Sequence, residues 1–104
     1  HLSPMCKQVT QENNKLIVTF DNVAEGLEVS GRYGYLCGFA VAGEDGVVHY
    51  AKALLIDKDK VAVWCDEVEK PLKVRYAWAD NPDDANLYNS EGLATTPFEA
   101  EIVK

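Results

Sequence analysis

The chain has 104 residues, 47% of them hydrophobic, which suits one folded domain with a single core and argues against disorder. Its net charge is −7, from 17 acidic and 10 basic residues. The basic residues are scattered among acids, so no basic stripe exists to neutralise phosphates, and a nucleic-acid partner is set aside. The longest apolar runs, such as Ala53-Leu54-Leu55-Ile56, are far too short to span a bilayer, so no membrane segment is expected.

The apolar residues recur with a period near two almost throughout, which is the signature of strands. Lys15 to Phe20 alternates, is β-branched, and closes at the turn pair Asp21-Asn22. Leu27 to Ser30 reads as a short strand after Glu25-Gly26. A three-strand meander follows: Leu36 to Ala42, then Val47 to Ile56, then Val61 to Cys65. Its first connection, Gly43-Glu44-Asp45-Gly46, suits a type I turn closed by a left-handed glycine, and its second is the polar tip Asp57-Lys58-Asp59-Lys60.

Val74 to Ala79 is strand-like and ends in the turn cluster Asp80-Asn81-Pro82-Asp83-Asp84. A polar loop carrying Leu87, Tyr88 and Leu93 leads into a last alternating strand, Phe98 to Val103. The best helical window, Asp80 to Asn89, is interrupted by Pro82 and would give one turn at most. The predicted fold is therefore all-β: one antiparallel β-sandwich over residues 1–104, jelly-roll-like, with seven or eight short strands and little or no helix.

The meander carries a finer expectation. If the hairpin at Asp45 pairs Val41 with His49, one face collects Cys37, Phe39, Val41, Ala51 and Ala53. The other collects Val48, Leu54, Ile56, Val61 and Val63. Both faces are apolar, so the second is covered either by a loop such as Asn86 to Phe98 or by a neighbouring domain. On that register Cys37 and Cys65 point apart and cannot bridge. The three cysteines, Cys6, Cys37 and Cys65, lack metal-type spacing and read as small buried hydrophobes.

Chemistry-bearing patterns are sparse. Ester hydrolysis by a nucleophile needs Ser or Cys beside a general base, with donors for the oxyanion. Ser3, Ser30 and Ser90 lie in none of the tight-turn settings that present such a hydroxyl. His49, between Val48 and Tyr50, reads as a partly buried strand residue, and Cys65 beside Asp66 has no histidine near it. The acid pairs Asp83-Asp84, Glu67 and Glu69, and Asp57 and Asp59 fall in turns and read as solvated turn residues. No catalytic residue, metal ligand or cofactor motif is assigned.

The aromatics are a separate matter. Trp64, Tyr76, Trp78 and Tyr88, with Tyr33 and Tyr35, are residue types that stack on sugar rings, although large strand aromatics more often serve a core or a domain contact. Arg75 could meet a carboxylate in a bidentate pair or hold an acid of a second domain. Trp64, Arg75, Tyr76, Trp78 and Tyr88 are therefore the candidates for inter-domain or sugar contact.

The stretch Arg75-Tyr76-Ala77-Trp78-Ala79-Asp80-Asn81-Pro82, followed by Asn86-Leu87-Tyr88-Asn89-Ser90-Glu91-Gly92-Leu93 and Thr96-Pro97-Phe98, resembles the carboxyl-terminal region of the sialate O-acetylesterase family. Leu2-Ser3-Pro4-Met5, Leu16 to Asn22 with Gly26-Leu27, and Gly38-Phe39 through Gly46 with Ala51-Lys52-Ala53 continue the likeness toward the amino terminus. One departure is Ala94, where the family often has proline. Members of that family remove acetyl groups from sialic acids with a serine hydrolase domain of the SGNH type.

The resemblance implies a truncated fragment of a periplasmic, secreted or lysosomal esterase, and its catalytic Ser, Asp and His map onto no residue here. It implies an accessory domain whose partner is the catalytic domain of the same parent chain. A carbohydrate-binding module that carries the enzyme to glycans is the alternative.

Overall fold

A computed structural model describes residues 2–29, 36–77 and 85–102. Ten strands lie among them: β1 (Met5–Glu12), β2 (Lys15–Asp21), β3 (Leu27–Val29), β4 (Phe39–Ala42), β5 (Val48–Tyr50), β6 (Lys52–Asp57), β7 (Lys60–Trp64), β8 (Lys73–Tyr76), β9 (Leu87–Asn89) and β10 (Phe98–Glu101). One sheet runs β1-β2-β7-β6, a second runs β10-β8-β4-β5, and β3 and β9 form a two-stranded ribbon. Every pairing is antiparallel, and the fold is a β-sandwich.

Alternation explains why these residues make two layers. In the first sheet, Val9, Val18, Val61 and Leu55 sit in one cross-strand row, and Leu16, Val63 and Ala53 in the next-but-one. In the second, Phe98, Tyr76 and Phe39 form a row, as do Ala100, Val74, Val41 and His49. Leu16, Val18, Val61, Val63 and Val74 are each 0% exposed, so these rows are the two inner faces of the sandwich. Each such side chain contributes about 1.5–3 kcal/mol on burial. The rings of Phe20, Phe39, Tyr76 and Phe98 meet in the core, Phe39 and Tyr76 with centroids 4.7 Å apart.

The expected hairpin at Asp45 is present, and Val41 pairs with His49 as the register requires. Gly46 has φ +75°, its N–H donates to the Gly43 carbonyl at 3.1 Å, and Asp45 Oδ1 accepts the Val47 N–H at 3.0 Å. Any other residue at Gly46 would carry the cost of a left-handed backbone.

The remainder of the meander differs from expectation. Val47 to Ile56 is not one strand of one sheet, because it breaks at Ala51, with β5 on an edge of the second sheet and β6 on an edge of the first. The Ala51 N–H still donates to the Phe39 carbonyl at 3.0 Å, and the side-chain alternation continues unbroken through the crossing. A register shift between Leu55 and Asp57 then sets Val63 against Ala53 and Val61 against Leu55. Val61 and Val63 therefore face the core, while Leu54 and Ile56, expected beside them, face solvent at 58% and 47% exposure.

Two strands went unread. β1 has one buried apolar residue, Val9, and β9 has three residues. The predicted turn Asp80 to Asp84, the first half of the helical window Asp80 to Asn89, and Ser30, Tyr33, Tyr35 and Trp78 lie outside the described residues, and the end of that window, Leu87–Asn89, is strand β9.

Candidate functional site

The stretch that carries the family resemblance is organised around Asn89, which is 0% exposed. Its Nδ2 donates to the carbonyls of Asn22 at 3.0 Å and Leu2 at 3.3 Å. Its Oδ1 accepts the backbone N–H groups of Glu91 at 2.9 Å and Leu93 at 3.0 Å. Ser90 Oγ accepts the Glu25 N–H at 2.8 Å, and Gly92 takes φ +82° to close the turn. One buried amide thus satisfies four backbone groups from three chain segments, which an apolar residue of the same size could not do. Asn89 and Ser90 are structural residues in this stretch.

Tyr76 must be corrected from the contact candidates. It is 2% exposed, stacked among core rings, and its phenol oxygen accepts the Leu87 N–H at 2.9 Å. Burial pushes its pKa above the ordinary phenol value, and the Leu87 hydrogen bond offsets part of that rise. Its task is to tie β9 to β8.

Arg75 lies on the outer face of the second sheet. Its guanidinium hydrogen-bonds Glu99, the residue opposite it on β10. Lys73 extends the ladder, with Nζ 3.9 Å from Glu99 and 3.8 Å from Glu101. Tyr88 is half-buried opposite Glu28 in the ribbon.

Trp64 is half-buried on the outer face of the first sheet. The Lys15 ammonium sits 4.9 Å from its ring centroid, so one ring face is already in a cation–π contact. The structure brings none of the described candidates into one cleft.

His49 reaches Glu67, Nδ1 to Oε2 at 3.4 Å, from its place on the edge strand β5. Ser90 Oγ is engaged by Glu25, far along the chain from that histidine. Among the described residues, no group of His, Cys, Asp and Glu is arranged to hold a metal ion.

A groove of about 290 Å³ runs between the edge strands β1 and β10, lined in part by Met5, Cys6, Val9, Pro97, Phe98 and Ala100. Burial pushes the Cys6 thiol up to about 11, so it stays protonated at neutral pH and is a poor nucleophile. Among the described residues, no disulfide joins Cys6, Cys37 or Cys65.

The surface feature that the sequence did not disclose is the run Val47 to Ile56. Val47, Val48, Tyr50, Leu54 and Ile56 are 51%, 40%, 78%, 58% and 47% exposed. Among the described residues the other large hydrophobics exposed to this degree are Leu2 and Met5. Of the two covers expected for Val48, Leu54 and Ile56, a loop such as Asn86 to Phe98 or a neighbouring domain, the loop packs through β9 against β3, with Asn89 and Tyr76 holding it. The signal that could have found Tyr50 is its parity with Val48 in the alternation.

No family model and no curated protein matches the chain. A solved structure does: a carbohydrate acetylesterase from Xanthomonas citri, similar over 95% of this chain with 40% sequence identity and a TM-score of 0.86. The chain spans 22% of that esterase's length. Its sequence and its sandwich are thus similar to one part of a much longer enzyme.

Proposed function

We propose that this chain is an accessory, non-catalytic β-sandwich domain of a carbohydrate acetylesterase of the sialate O-acetylesterase type, which packs against the catalytic domain and stabilises it. The observation that carries this reading is the likeness to the Xanthomonas citri enzyme, nearly complete over this chain yet limited to 22% of that one. The buried signature supports it. Tyr76 and Asn89, in the stretches that resemble the family, serve hydrogen bonding and packing inside this chain. The inter-domain or sugar-contact roles of Trp64, Arg75, Trp78 and Tyr88 remain part of the proposal.

The test uses the longer polypeptide that carries this domain, assayed for acetate release from O-acetylated sialic acid and from acetylated neutral sugars. The expected result is turnover of acetylated sugar, with preference for the sialic acid ester. Loss of activity and a lower thermal midpoint are expected when residues 1–104 are removed. An active catalytic domain of unchanged stability after that removal would overturn the stabilising role. Activity confined to non-carbohydrate esters would overturn the substrate class.

A further inference from the structure

We propose that the outer face of the second sheet carries a shallow carbohydrate-binding platform for one neutral pyranose ring of a glycan. Tyr50 is its stacking surface, and the Arg75–Glu99 pair is its hydrogen-bonding wall. The choice of a sugar among hydroxyl-rich ligands rests on the reading given under Proposed function; the platform rests on its own residues.

The register puts the parts on one face. Ala40 pairs with Tyr50 on β5 and with Arg75 on β8, and Arg75 pairs with Glu99 on β10. Directly paired residues share a face, so Glu99, Arg75, Ala40 and Tyr50 form one row across the four strands of one sheet. The residues that alternate with them, Phe39, Val41, Val74 and Tyr76, are buried in the core. Tyr50 and Arg75 stand two strand spacings apart, about 9–10 Å. Between them Ala40, partly exposed, presents only a methyl group, so the row is low at its centre and raised at both ends. A single pyranose ring fits that gap.

The two ends of the row offer what a sugar needs. Tyr50 is 78% exposed on the three-residue edge strand β5 and adds little to the core. Its ring offers a flat apolar face to the C–H side of a sugar at a low cost in side-chain entropy. At the other end the Arg75 guanidinium donates to Glu99, and the Lys73 ammonium stands 3.9 Å from the same carboxylate. These contacts fix donors and acceptors side by side before a ligand arrives. Neighbouring sugar hydroxyls, each able to donate and to accept, match such a wall.

Charge selects the kind of sugar. Lys73 and Arg75 are balanced by Glu99 and Glu101, so the wall holds no surplus charge for an anion. A neutral ring is therefore favoured over a sialic or uronic acid. Trp64 lies on the outer face of the other sheet, with the Lys15 ammonium over its ring, and is not part of the platform.

The experiment is an NMR titration of the isotope-labelled 104-residue chain with lactose, cellobiose and xylobiose, with glucuronic acid and glycerol as comparison solutes. Saturable shifts at the Ala40, Tyr50 and Arg75 amides with at least one of the disaccharides, and none with glycerol, are expected. Tyr50→Ala should weaken that binding about tenfold, as truncation of a contact aromatic does. Arg75→Ala should weaken it several-fold, and Trp64→Ala should leave it unaltered. All three positions lie on outer faces, and unchanged spectra elsewhere show that the variants fold. The absence of saturable shifts at the three amides with every disaccharide would overturn the inference, as would binding that Tyr50→Ala leaves intact. Tighter binding of glucuronic acid than of any disaccharide would overturn the neutral-ring assignment. Acetate release by the longer polypeptide, measured separately, keeps the two readings apart. Sugar binding by the chain beside an inactive longer protein removes the proposed function and keeps the platform. An active enzyme whose domain binds none of the disaccharides does the reverse.

Discussion

The Asn89 side-chain amide donates to the Asn22 carbonyl at 3.0 Å, across 67 positions of sequence, inside a domain where Asn89 itself is fully buried. That bond and its three companions hold the β2–β3 corner, the amino-terminal segment and the turn after β9 together. Asn89→Ala would leave several buried backbone groups without partners, each costing about 1–3 kcal/mol. The expected outcome is a loss of several kcal/mol in urea unfolding with an unchanged slope. Asn89→Asp would keep an acceptor for Glu91 and Leu93 but set a carboxylate against the Leu2 and Asn22 carbonyls. It should therefore be less stable at pH 7 than at pH 4.

Tyr76→Phe keeps the ring cluster with Phe39 and Phe98 and removes only the acceptor for the Leu87 N–H. A buried unsatisfied donor costs about 1–3 kcal/mol, and the thermal midpoint should fall by about 4–8 °C per kcal/mol for a domain of this size. Tyr76→Ala also opens a cavity and should cost about 3–5 kcal/mol more than a surface change. Differential scanning calorimetry of both variants checks the order.

Cys6 has its pKa raised from 9.0 to about 11 by burial. The folded state thus holds the thiol proton more tightly than the unfolded chain does. The associated stability is fully present below pH 9 and is lost as pH rises from there through about 11. Iodoacetamide should modify Cys6 slowly at pH 8 in the native protein and quickly in urea. Cys6→Ala should flatten the alkaline limb of the stability curve; an unchanged limb would contradict the assignment.

Arg75 and Glu99 are partly exposed partners on the outer face of the second sheet. Such pairs are worth about 0–1 kcal/mol, so Arg75→Ala should shift the urea midpoint only slightly and less in high salt. The swapped pair Arg75→Glu with Glu99→Arg should recover most of that shift in a double-mutant cycle.

Strict alternation made β2, β7 and the Asp45 hairpin readable, down to the pairing of Val41 with His49. The same alternation concealed the crossing at Ala51, because nothing in the period changes where the run passes from one sheet to the other. The faces of Leu54 and Ile56 were lost at the Leu55–Asp57 register shift, which offsets β6 by one residue against β7 beside the polar tip that the sequence marks only as a turn. β1 is an edge strand with Val9 alone buried, so it offered almost no hydrophobic period.

Among the contact candidates, sequence gave residue types but not exposure. Tyr76 belongs to the core, while Tyr50, on a shorter strand, is 78% exposed.

The most direct test of a scaffold domain without its own chemistry is hydrolysis of a chromogenic acetate by the purified 104-residue chain. The account predicts a rate no higher than that of buffer across neutral and mildly alkaline pH. Acetate release proportional to protein concentration, and abolished by His49→Ala or by a serine-to-alanine change at Ser3, Ser30 or Ser90, would contradict it.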